Sequence, residues 1–166
     1  MVELGKLTPD DWQELRDLRI QATKEVPFAF GWTTNEEIAR TEEDWRKRFA
    51  DSTHYSAREN GKLLGVLCVS LETKRSMQSH IAKIFSVYVA PEVRGQGVGK
   101  MLMDAAIDDL KKNSKIVKIT LNVAETQGAA RRLYENAGFK QAGILEKEGH
   151  LGDKFVTVFV MEKFLR

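Results

Sequence analysis

The sequence predicts a mixed β-sheet with helices on its faces, a domain of the α+β or α/β class. Three observations lead there. Two helix-start patterns fall within the first forty residues, an Asn-Gly dipeptide then joins two strand-like runs, and the second half alternates extended with helical patterns. At 166 residues, with 42% apolar and 30% charged side chains, the chain has the size of one domain and the composition of an ordinary globular protein. A chain of this length buries roughly two thirds of the surface its unfolded form exposes, enough for a core without disulfide, metal or partner.

Thr8-Pro9-Asp10-Asp11 opens the first helix, with Thr8 as cap, Pro9 at the first helical position and Asp11 as the capping-box acid. Trp12, Leu15, Leu18 or Arg19, and Ala22 recur at helical spacing, so this helix runs to about Glu25, before Pro27. A second capping-box pattern, Thr34-Asn35-Glu36-Glu37, precedes Ile38, Trp45 and Phe49 on one helical face and predicts a second helix. Tyr55 to Arg58 and Leu63 to Leu71 flank Asn60-Gly61, a hairpin signal because both residues accept the left-handed backbone of a tight turn. Ile81 to Val89, rich in β-branched and aromatic residues, is a strand that stops at Pro91. Met101, Leu102, Ala105 and Leu110 then carry a helical period. Ile116 to Val123 repeats the strand signal. Ala129, Ala130, Leu133, Tyr134 and Ala137 share one face of a further helix that Gly138 closes. Strands over about Lys140 to Glu146 and Phe155 to Met161 complete the order.

Composition narrows the function. The single cysteine, Cys68, excludes an internal disulfide framework, fits a reducing compartment and reads as a small buried strand residue. A net charge of +2, with both signs interspersed, is no nucleic-acid footprint. The start, Met1 to Lys6, lacks the basic and apolar regions of a secretory signal, and no apolar run approaches the length that spans a membrane. The expectation is one cytoplasmic domain over residues 1–166, with neither nucleic acid nor membrane as partner.

The segment Val87-Tyr88-Val89-Ala90-Pro91-Glu92-Val93-Arg94-Gly95-Gln96-Gly97-Val98-Gly99-Lys100 is a strand delivering a glycine-rich turn into a helix. Glycines at 95, 97 and 99 let a ligand approach the backbone, and the first-turn N–H groups of the helix suit a pyrophosphate. The dinucleotide fingerprint fails on spacing because position 100 is Lys, and a P-loop would need Gly at Arg94 and Ser or Thr at Met101. Close packing of a helix on a strand is the other use of such glycines.

Arg94-Gly95-Gln96-Gly97-Val98-Gly99 resembles the Arg/Gln-x-x-Gly-x-Gly/Ala signature of the GNAT superfamily of N-acetyltransferases. Leu121-Asn122-Val123 followed by Ala130-Arg131-Arg132-Leu133-Tyr134-Glu135-Asn136-Ala137-Gly138-Phe139 resembles that family's second signature. The resemblance is strong over about 80 to 145. It implies the acyl-CoA N-acyltransferase fold, a three-layer α+β arrangement with a mixed, largely antiparallel sheet of about seven strands and helices on both faces. It implies acetyl-CoA, or a closely related acyl-CoA, as donor, with backbone amides of Arg94, Gly95, Gln96, Gly97, Val98, Gly99 and Lys100 on the pyrophosphate. The main chain from Val87 to Val89 would bond the pantetheine and thioester carbonyl beside a strand bulge, and Asn122 the pantetheine or a linked water. Tyr134 would protonate the departing thiolate as general acid; it also fits as an aromatic on the buried face of its helix. Gln127 stands where the family commonly has Asn, three residues before Ala130, an amide with one more methylene of reach. Lys100, Arg131 and Arg132 are weaker phosphate candidates.

The acceptor implied is a primary amine, which must lose a proton before it attacks a thioester. Glu72 and His80 are candidates for the base, each also readable as a solvated strand-end residue. By the same resemblance, Glu25 to Glu37 and about Gly149 to Phe155 wall the acceptor side, and the family is often dimeric, so a homodimer through an edge strand near the C-terminus is a further expectation. The aromatic stretch Pro27-Phe28-Ala29-Phe30-Gly31-Trp32 over Glu36 and Glu37 could receive a cationic amine or staple the second helix. Balanced charge, with no large peptide-docking patch, favours a small-molecule acceptor over a protein.

Overall fold

A computed structural model of the chain describes residues 1–72 and 75–166. The strands are β1 (Glu3–Lys6), β2 (Ser52–Glu59), β3 (Lys62–Leu71), β4 (Ile81–Val89), β5 (Lys118–Ala124), β6 (Lys140–Leu151) and β7 (Lys154–Phe164). They form one sheet in the order β1-β2-β3-β4-β5-β7-β6, antiparallel throughout except between β4 and β5. The expected seven-stranded mixed sheet is present. Asn60 (φ 50°) and Gly61 (φ 79°) take the left-handed backbone of the β2–β3 turn, the conformation that only such residues adopt cheaply.

β3 is buried without interruption from Leu63 to Val69, so both of its faces are covered. Helix α1 (Trp12–Glu25) and helix α4 (Val98–Lys112) pack on it, and α4 reaches β2 and β4 as well. Gly65 permits that closeness: a Cβ there would stand 3.2 Å from Leu102 Cδ1. α4 buries Val98, Leu102, Met103, Ala106, Ile107 and Leu110, while Met101 is exposed. Of the residues that carried the predicted period, Leu102 and Leu110 are buried and Ala105 packs against the core, and Met101 alone falls off the buried face.

The Thr8 amide donates to Asp11 Oδ2 at 2.7 Å, and a short 3₁₀ turn over Pro9–Asp11 leads into α1 as the capping pattern predicts. The second predicted helix is corrected. It is two helices, α2 (Thr34–Ala39) and α3 (Glu42–Lys47), broken by the extended Arg40. The caps are Thr33 with Glu36 and Thr41 with Asp44, not Thr34 with Glu37, and Ile38 is exposed whereas Trp45 is fully buried. Two adjacent threonines offer two cap registers, and the one adopted frees Glu37 to turn inward.

Two features open the sheet. Cys68 pairs with Phe85 and Val66 with Tyr88, so Ser86 and Val87 both face Leu67; this bulge holds Ser86 at φ 53°. β4 and β5 pair only from Ile81 to Lys83 against Lys118 to Thr120 and then part. Helix α5 (Gly128–Asn136) follows β5 and ends at Gly138 (φ 88°), and β6 is the far edge of the sheet. The last hairpin is longer than predicted, because the irregularity at Lys147 (φ 54°) interrupts the alternation without ending the strand.

Candidate active site

The glycine turn sits at the end of β4, ahead of α4. Arg94 N–H bonds Pro91 O, but the next six amides, Gly95 to Lys100, have no hydrogen-bond partner among the described residues. Gly95 (φ 75°) and Gly97 (φ 78°) turn their missing side chains toward open space, with nothing within 4 Å of a Cβ placed there. A row of unpaired donors at a helix N-terminus with an unobstructed approach is an anion cradle. Gly99 differs: its Cβ would stand 3.2 Å from Leu133 Cδ2, so this glycine lets α4 close on α5. The open turn at Gly95 and Gly97 and the close helix contact at Gly99 are therefore distinct features of one motif.

The side chains of Arg94 and Lys100 are occupied within the chain. Arg94 pairs with Glu25 at 2.5 Å and donates from Nε to Val89 O at 2.9 Å, and Lys100 pairs with Asp104. Tyr88 donates to Glu25 Oε2 at 2.6 Å. Burial pushes the Glu25 carboxyl up, but its hydrogen bonds to Arg94 and Tyr88 outweigh that and hold it below the usual range. Arg94 thus braces the cradle from behind. The Val89 carbonyl thus accepts from Arg94, and Val89 lines none of the three cavities described below.

Where β4 and β5 part, a slot of about 50 Å³ opens, lined by Val87, Asn122, Gln127, Ala130 and Tyr134 among others. The sequence singled out all five. Tyr134 is 5% exposed, and burial pushes its phenol well above the usual tyrosine range.

A larger cavity of about 530 Å³ adjoins the slot. The two share Ala29, Ile84, Phe85, Ser86 and Asn122. Its apolar wall includes the aromatic connection between α1 and α2, and its polar wall is a group that sequence reasoning missed. Glu37, with no exposed surface, pairs with Arg19 at 2.6 Å, Arg48 at 3.1 Å and Arg40 at 3.2 Å. Burial pushes the Glu37 carboxyl up, but the three guanidiniums outweigh it and keep it below the usual range. Arg19 also donates to Ser86 Oγ at 2.8 Å, tying this group to the bulge. The only sequence signal for it was Arg19 on the apolar face of α1.

The expected amine receptor of aromatics over Glu36 and Glu37 is not built. Glu36 is held by Thr33 in its cap, and Glu37 is neutralised. Two rings of that stretch carry an arginine instead, Arg19 at 4.5 Å from the Phe30 centroid and Arg40 at 4.2 Å from Trp32, and Arg48 lies 4.4 Å from the Trp45 centroid on α3. Of the base candidates, His80 lines none of the three cavities, and Glu72 lines one of about 460 Å³ that shares Asp51, Ser52 and Ser70 with the large cavity but does not include Asn122. Arg131 pairs with Glu135 at 3.0 Å and lies over Phe159.

His54 and Cys68 also line the large cavity. Ser52 Oγ donates to Arg48 O at 2.6 Å, so His54 Nε2, 2.9 Å from that oxygen, carries the proton, and His54 Nδ1 is buried without a partner. Burial, with Arg48 and Arg19 nearby, lowers His54 to about 4. Burial pushes the Cys68 thiol up to about 12. Among the described residues no three metal-ligating side chains cluster, and no helix is long and apolar enough to cross a membrane.

Comparison with known proteins agrees with this geometry. A mycothiol acetyltransferase of Thermobispora bispora is 29% identical over 123 residues, 74% of this chain, which spans 40% of that protein's length. A GNAT-family acetyltransferase of Streptococcus pneumoniae superposes with a TM-score of 0.89 at 22% identity, over 99% of this chain and 100% of that one. An acetyltransferase of Salmonella typhimurium, solved with its cofactor acetyl-CoA, superposes with a TM-score of 0.85 at 16% identity, over 100% and 95% of the two chains. The family model for GNAT acetyltransferases matches residues 12–139, so this chain belongs to the GNAT acetyltransferase family, which uses acetyl-CoA.

Proposed function

We propose that residues 1–166 form one cytoplasmic domain that moves an acetyl group from acetyl-CoA to the primary amine of a small molecule, by direct attack in a ternary complex. The observation that carries this reading is the junction of slot and cavity at Ala29, Ile84, Phe85, Ser86 and Asn122. Direct transfer needs donor and acceptor to meet at one place from two sides, and these five residues border both spaces. Bound acetyl-CoA would supply the activated acyl group. The unpaired amides from Gly95 to Lys100 hold its phosphates, and Val87, Asn122 and Gln127 orient the arm that runs down the slot. Tyr134, protonated at neutral pH because its burial disfavours the phenolate, gives its proton to the departing sulfur. Cys68 is no acyl carrier, because a thiol pushed up to about 12 is protonated and a poor nucleophile.

The test is thermal unfolding with acetyl-CoA, CoA, NAD and ATP in parallel, followed by thiol release with amines, for the chain and for Tyr134→Phe. The expected result is a raised midpoint with acetyl-CoA and CoA alone, since a ligand at a hundred times its Kd adds about 2.7 kcal/mol. Tyr134→Phe keeps that shift and loses roughly a hundredfold in kcat. No shift with either CoA species would overturn the reading. Binding with an unchanged kcat in Tyr134→Phe would remove Tyr134 from the chemistry.

A further inference from the structure

We infer that the acceptor is a small amine that also carries a carboxylate, held by Arg40 and Arg48 with its amine at the Ser86–Asn122 end of the cavity. The inference rests on the acetyltransferase reading and names the substrate class of the same site. Three guanidiniums share one carboxylate, so the group keeps two positive charges, and the other charged residues of the lining, Lys83 and Asp51, cancel each other. Such an excess beside an apolar wall is costly unless an anion completes it.

The donors left over are the right ones. Arg19 is buried and has every nitrogen engaged: Nε and Nη2 donate to Glu37 and Nη1 to Ser86. Arg40 bonds Glu37 only through Nε, and Arg48 only through Nη2. Among the described residues, Arg40 Nη1 and Nη2 and Arg48 Nε and Nη1 have no hydrogen-bond partner, and both side chains are about one fifth exposed, at 20% and 22%. Trp32 and Trp45 hold these guanidinium groups over their rings, and the N–H groups without a partner suit a planar oxyanion such as a carboxylate. A volume of about 530 Å³ suits a small molecule with an apolar body, such as a free amino acid. The α-amine of a protein N-terminus brings no carboxylate of its own to this wall.

Matched pairs of acceptors test this: L-leucine with isoamylamine, L-methionine with 3-methylthiopropylamine, L-phenylalanine with 2-phenylethylamine, L-histidine with histamine. Each is assayed for thiol release and for stabilisation of the acetyl-CoA complex, with short peptides as a further arm. The expected result is that at least one amino acid exceeds its decarboxylated partner tenfold or more in kcat/KM. Arg40→Gln should bring that ratio toward one by raising KM rather than lowering kcat, and Arg40→Lys should restore part of it. Equal use of both members, preference for the bare amine or a peptide, or no response to any amino acid while acetyl-CoA still raises the midpoint would overturn the inference. Loss of the acetyl-CoA shift itself would overturn the acetyltransferase reading instead, so the two failures are separable. An Arg40→Gln variant that keeps the acetyl-CoA shift but leaves the ratio unchanged would remove Arg40 from the carboxylate site.

Discussion

Glu37 shows how one side chain can decide whether a cluster is a liability or a scaffold. It is fully buried and is the sole acid among three arginines, so its removal leaves uncompensated charge that no repacking can hydrate. Glu37→Gln should lower the unfolding free energy by about 3–5 kcal/mol in a urea titration. Glu42→Gln, which breaks an ion pair with Arg46 between half-exposed side chains, should change it by less than about 1 kcal/mol. A loss for Glu37→Gln no larger than that for Glu42→Gln would show that the arginines find water or other partners. The pattern of charges alone suggests none of this, because Glu36 and Glu37 look alike in sequence. Which of them faces inward depends on whether Thr33 or Thr34 caps α2, a choice made by packing.

The elements divide the glycine motif between an open turn, which we propose binds the cofactor, and a packing contact. Gly97→Ala puts a Cβ into the open face of the cradle and forces a left-handed residue, so acetyl-CoA affinity should fall tenfold or more in a titration. Gly99→Ala presses on Leu133 and should lower the thermal midpoint more than the affinity. If both variants lose only stability, the turn is a packing device. The β2–β3 hairpin, β4, α1 and α5 were legible because turn chemistry, β-branched runs and capping residues act locally. The slot residues Val87, Asn122, Gln127, Ala130 and Tyr134 were legible through the family signatures. The arginine group was not, since Arg19, Arg40 and Arg48 come from three separate segments and meet only when α1, α2 and α3 fold over the sheet. Nor could periodicity place Val89, whose carbonyl was claimed by Arg94.

At the scale of the whole molecule, stability should depend on pH through His54. The native imidazole takes its proton only near pH 4, because burial and the charges of Arg48 and Arg19 oppose it, while an unfolded histidine takes it near 6.5. Between those values the unfolded chain binds more protons, so stability is complete above about pH 6.5 and is lost as pH falls toward 4. Between roughly pH 7.5 and pH 5 this amounts to about 2 kcal/mol from His54 alone. His54→Leu should flatten that part of the curve whatever its stability at neutral pH, as read from unfolding free energies at the two pH values. An unchanged slope would mean that water reaches His54 in the native state.

Cys68 gives the fold a built-in clock. The one thiol in the chain is buried on β3, held protonated, and borders the large cavity, so a thiol reagent reaches it through that cavity or when the strands around it separate. Labelling that slows when an acceptor amine fills the cavity reads occupancy of the site, and labelling that does not slow counts openings of the central sheet. The residue that looked least informative in the sequence is thus a reporter on the stability of the layer that builds the site.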